Sequence, residues 1–140
     1  MADVIYNAFK MNIMNGTIDL DTDTIKCMLV TSTYVPDIDL HDYKDDITNE
    51  VTGAGYTAGG AEITTKTVTQ DNTDDEGVFD GADVTWAAST ITARGAVLYK
   101  DTGVATTSPV ICYFDFVTDK SSSGGDFTIQ WNAEGIINIS

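Results

Sequence analysis

From Thr24 to the end of the chain, apolar and polar residues follow a period of two, the signature of strands half-buried against a core. The stretch before it keeps a different beat. Ile5, Phe9 and Ile13 recur every four residues, and Ala8 and Met11 widen the stripe. This spacing predicts one helix over residues 3–15, with Asp3 as its N-cap and Gly16 at the C′ position. Strands are expected over 24–32, 61–69, 78–86, 93–100, 110–117, 126–131 and 136–139. The first of these is almost continuously apolar, so both its faces should be covered, one by the helix. In the last long strand Phe127, Ile129 and Trp131 point one way while Thr128 and Gln130 point the other. Trp86 follows Val84 at the same spacing, so both tryptophans are expected in the core.

The connections are marked by their residues. Residues 34–49 contain Pro36 and a run of acids, and form a long connection. Residues 51–63 follow with a cluster of glycines and alanines around Tyr56, suited to a turn or a close backbone approach. The stretches 71–77, 101–109 and 119–126 are Gly-, Ser-, Thr- and Asp-rich turns. The fold class read from this order is mainly β: an antiparallel β-sandwich or partly closed barrel of about seven strands with one N-terminal α-helix. A length of 140 residues fits a single domain over 1–140.

Composition narrows the function. Seven Lys and Arg against 22 Asp and Glu give a net charge of −15, which repels phosphate backbones and argues against nucleic-acid binding. With 42% of residues apolar and 21% charged, the chain is expected to fold rather than stay disordered. No apolar run reaches membrane-spanning length, and the first ten residues lack a cationic, then apolar, leader, so neither membrane insertion nor export is expected.

Candidate chemistry is sparse. Cys27 alternates with Ile25 and Leu29, and Cys112 with Val110, Phe114 and Phe116, which suits buried reduced thiols; a bridge between neighbouring strands is the alternative. His41, flanked by acids, reads as a solvated loop histidine with no Ser or Cys placed to complete a triad. The glycine-rich segment lacks the lysine and following helix of a phosphate cradle and reads as a backbone turn. Asp19, Asp21 and Asp23 match the first ligands of an EF-hand loop, but Thr24 stands where Gly is needed and Val30 where Glu is needed. Asp71, Asp74, Asp75 and Glu76 are weak candidates for calcium, the other reading being a solvated hairpin turn. No catalytic residue, cofactor or firm metal site is assigned, and no enzymatic activity is expected.

The segments G-T-I-D-L-D-T-D-T-I-K-C-M-L-V (from Gly16), V-T-G-A-G-Y-T-A-G-G-A (from Val51), D-V-T-W (from Asp83), A-V-L-Y-K-D-T-G (from Ala96), Y-F-D-F (from Tyr113) and G-G-D-F-T-I-Q-W (from Gly124) carry a resemblance. In this order the chain resembles a family of small tailed-bacteriophage virion structural proteins. The resemblance rests on turn glycines and core aromatics. It implies a particle component made in the bacterial host cytoplasm and placed in the virion, most simply a capsid decoration (cement) protein bound to the major capsid protein as a homo-oligomer, trimer or dimer. A tail, neck or fibre-associated component that binds host glycans is the alternative, and a small hydrolase or calcium-dependent module a third. The N-terminal segment, expected to be mobile, and the acidic loop 34–49 are the candidate contact elements.

Overall fold

The computed structural model describes residues 3–140. Ten strands and one helix succeed one another: β1 (Val4–Ile5), α1 (Asn7–Met14), β2 (Ile25–Val30), β3 (Ala61–Glu62), β4 (Thr67–Asp71), β5 (Glu76–Asp80), β6 (Val84–Ser89), β7 (Thr92–Lys100), β8 (Val110–Ser121), β9 (Gly125–Ile129) and β10 (Ile137–Ile139). They form an antiparallel five-stranded sheet ordered β1-β8-β7-β2-β3, a three-stranded sheet β10-β5-β4 and a two-stranded sheet β6-β9. The mainly-β, sandwich-like expectation holds, and no closed barrel forms among the described residues.

The large sheet is covered on both faces, as the apolar run in β2 requires. Alternate residues Ile25, Cys27 and Leu29 join Phe9 of α1 and Phe79, Val84, Trp86, Phe127, Ile129 and Ile137 of the smaller sheets in one core. Met28 and Val30 face the other way, against Tyr6, Tyr34, Ile47, Val97, Tyr99, Val110 and Tyr113. The helix covers the first face. The second is covered by residues 34–49, so the long connection is itself a structural layer.

Several boundaries differ from expectation. Residues 3–5 are not helical: β1 pairs with β8, Asp3 donates its amide to the Tyr113 carbonyl, and its carboxylate accepts the Asp115 amide. Tyr6, not Asp3, is the N-cap, without a side-chain cap bond, and Met11 lies on the exposed side. Gly16 does follow the helix with φ 78°. The expected strand 61–69 is two strands in different sheets, separated where Ile63 plunges into the core and Thr65 takes φ 54°. The expected strand 78–86 likewise breaks at Gly81, where a Cβ would stand 2.5 Å from Ile63 Cγ2.

A bulge in β8 and the early end of β9 account for two further differences. Leu98 pairs with Cys112 and Tyr99 with Val110, so the extra residue Ile111 turns Val110 to the face opposite Cys112. Trp131 lies past the end of β9, half-buried on Phe114 with ring centroids 5.4 Å apart, and donates its indole N–H to the Ala82 carbonyl at 3.0 Å. It packs at the core's rim, whereas Trp86 is buried within it.

Candidate contact site

The loop 34–49 is pinned from beneath by a chain of hydrogen bonds, buried at Tyr6 and half-buried at His41. Tyr6 and Tyr34 hydroxyls lie 2.6 Å apart, and the Tyr34 hydroxyl lies 2.8 Å from His41 Nδ1. The Asp37 amide also reaches Nδ1, at 3.2 Å. A backbone amide can only donate, so Nδ1 is the acceptor: the neutral ring carries its proton on Nε2, Tyr34 donates to the histidine, and Tyr6 donates to Tyr34. Burial pushes the Tyr34 hydroxyl up to about 12 and Tyr6 well above the ordinary tyrosine range, so both stay protonated. Tyr34 also stacks on His41 at 5.6 Å and meets the edge of Tyr113 at 5.7 Å.

The loop's own acids finish the frame. Asp37 Oδ1 accepts the amides of Asp39 and Leu40, both at 3.0 Å. Asp46 Oδ2 accepts those of Tyr43 at 3.0 Å and Asp42 at 2.9 Å. These bonds, first that from Tyr43, hold Asp46 below the usual carboxylate range. Asn7 at the start of α1 donates its amide to Ile38 O and its side chain to Asp39 Oδ1. Val110 donates to Asp42 O and Lys44 to Ser108 O, which stitches the loop to β8 and the turn before it.

On this frame the outer surface is apolar and acidic. Val35 is 75% and Leu40 73% exposed, and Ile38 and Tyr43 are exposed beside them. Asp39, Asp42 and Asp45 stand among these groups, while Lys44 turns away to lie 5.3 Å over the Tyr99 ring. A cleft of about 250 Å³ opens between the loop and α1, lined by Asn7, Ala8, Met11, Asn12, Asp42 and Tyr43. Large apolar side chains held outward by a fixed backbone suit a protein–protein contact. Of the N-terminal segment, Met1 and Ala2 lie outside the described residues; Asp3 to Ile5 are tied into the sheet, contrary to the expected mobility.

The other predicted positions fall elsewhere. His41 is half-buried and bonded rather than solvated. Cys27 and Cys112 are free, buried, and raised in pKa by burial; β7 lies between their strands, so no bridge between neighbours can form. Asp23 accepts the Asp19 amide at 2.8 Å and pairs with Lys100 at 3.0 Å, bracing a turn. In the glycine-rich segment the Glu50 carboxylate accepts from Tyr56 Oη at 2.6 Å and the Gly59 amide at 2.7 Å, and Tyr99 donates to Gly59 O. That segment is a backbone turn, as expected.

At the β4–β5 hairpin, oxygens of Asp71, Asp74 and Glu76 lie within 4.8 Å of one another, while Asp75, at φ 58°, is outside the group. The turn itself draws on this set: Asp71 Oδ1 accepts the Thr73 amide at 2.8 Å, and Asn138 donates to Glu76. Among the described residues no helix is long and apolar enough to cross a membrane. Compared with family models, curated proteins and solved structures, the chain shows no match.

Proposed function

We propose that this chain is a non-enzymatic structural protein of a tailed-phage virion, a capsid decoration protein that binds the outer surface of the head through loop 34–49. The observation that carries this reading is the combination of exposed Val35, Ile38, Leu40 and Tyr43 with a backbone locked by the Tyr6–Tyr34–His41 chain. A contact loop that is already ordered loses little conformational freedom on binding. Its aspartates favour a partner face that is apolar with a basic rim, the major capsid protein on this reading. The net charge of −15 disfavours unspecific self-association and contact with packaged genome. Repeated sites on a symmetric shell favour a dimeric or trimeric decoration protein.

The resemblance noted in the sequence supports a virion origin. Quantifying the chain against the major capsid protein in purified virions, with heads and tails fractionated, tests the placement. Copies comparable in number with the shell protein and travelling with heads are expected. Few copies travelling with tails would replace this reading with a tail, neck or fibre component and make glycan binding the next assay.

A further inference from the structure

We propose that β4 is a self-association edge, along which two copies of this chain pair antiparallel into a continuous six-stranded sheet. In the three-stranded sheet β10-β5-β4, the outer edge of β4 has no strand beside it among the described residues. An open edge presents unpaired backbone donors and acceptors, and proteins commonly blunt it with lysine, proline, a bulge or shortness. Residues Thr67 to Gln70 carry no charge and no proline, and the β4–β5 register runs without a shift from Thr67 to Asp71. At five residues β4 outruns the other edge strands of the two larger sheets, β1, β3 and β10.

The cross-strand rows say what is missing. Ile137 pairs with Phe79, and Phe79 with Val68, so the three side chains share one face of the sheet. Ile137 is 4% exposed, Phe79 3% and Val68 51%. The buried layer therefore stops one strand short at β4. A second β4, antiparallel with Val68 opposite Val68, places two half-exposed valines on the Phe79 face against each other and extends the layer.

The self-complementary Val68 row points to a second copy as the occupant, and charge selects the antiparallel sense. Lys66, just before the strand, is largely buried and tied to Glu62 and the Ile63 carbonyl, whereas Asp71, Asp74 and Glu76 gather at the strand's far end. Antiparallel pairing keeps the two acidic turns apart; parallel pairing would stack acid on acid. The contact is isologous, so it closes as a two-fold dimer.

Sedimentation equilibrium of the full chain, from micromolar to millimolar, tests this together with two variants. The wild type is expected to move from the mass of one chain to that of two as concentration rises, and Val68→Lys to remain a monomer with unchanged far-ultraviolet circular dichroism. Val68→Cys under mild oxidation is expected to form covalent dimers about tenfold or more faster than a control cysteine at exposed Val104, because pairing raises the local thiol concentration. The native cysteines are buried and do not compete. A wild type that stays monomeric, or Val68→Cys crosslinking no faster than the control, overturns the proposal. So does a folded Val68→Lys that still dimerises; should Val68→Lys fail to fold, the crosslinking rates decide. None of these outcomes depends on where in a particle the chain resides.

Discussion

The Tyr6 and Tyr34 hydroxyl oxygens, 28 residues apart in sequence, lie 2.6 Å apart beneath the acidic loop, and the second of them holds His41. Tyr6 leads into α1 while Tyr34 opens the loop, so one buried bond couples the helix to loop 34–49. Tyr34→Phe keeps the ring but leaves the Tyr6 hydroxyl without its acceptor. A buried polar group stripped of its partner costs about 1–3 kcal/mol. Urea unfolding should show a lower midpoint at unchanged m-value, with limited proteolysis cutting first within 34–49.

His41→Ala removes the acceptor for both the Tyr34 hydroxyl and the Asp37 amide. The expected result is faster amide hydrogen exchange confined to the loop, with the strands of the large sheet keeping their protection. Uniform loss of protection would show that the histidine supports the whole core instead.

Gly60 has φ 78°, and a Cβ there would stand 1.9 Å from the Cys27 carbonyl oxygen. The glycine-rich segment can lie flat on β2 only without a side chain at this position. Gly60→Ala therefore combines a left-handed backbone with a hard clash, and is expected to cost about 3 kcal/mol or more. A thermal melt within a degree of wild type would contradict this packing.

Asp101 accepts from Lys26 at 2.8 Å and from the Gly103 amide at 2.9 Å, and the lysine foremost lowers its pKa from 3.8. A carboxyl whose folded pKa is depressed stabilises the fold above its unfolded value and loses that contribution as pH falls through the folded one. Wild type should thus lose stability below about pH 4 more steeply than Asp101→Asn. At neutral pH the variant should be less stable by about 1 kcal/mol at most, since the pair is partly solvated. Urea midpoints measured from pH 7 down to pH 2 check both signs.

Cys27 and Cys112 both pair with Leu98, from opposite sides of β7. Two strand spacings, about 9.5 Å, exceed the Cα separation a disulfide spans. Ellman's reagent should find both thiols silent in the folded protein and both reactive in guanidinium. A reducible mass shift in the native chain would contradict the strand order.

Periodicity reached the mainly-β class, the single helix and the two-faced burial of β2, because each is written in the local alternation of side chains. It missed the breaks at Thr65 and Gly81 for a physical reason. Alternation on either side of them is unbroken, and what divides the strands is Ile63 filling space between sheets that lie far apart in sequence. Pro36 and the acids mark 34–49 as a long connection. Its role as a core layer depends on Tyr6 and Tyr113, which only the fold brings beneath it. His41 reads as solvated from its acidic neighbours, since no local pattern announces the bond to Tyr34.

Head binding by loop variants tests the central claim most directly. Purified chain would be mixed with heads lacking it and sedimented, comparing wild type with Val35→Asp and Leu40→Asp. Both side chains are exposed, so the folded chain should be unaffected while cosedimentation falls by about tenfold or more, as for loss of apolar anchors at an interface. Full binding by both folded variants would contradict the assignment of loop 34–49 as the contact surface.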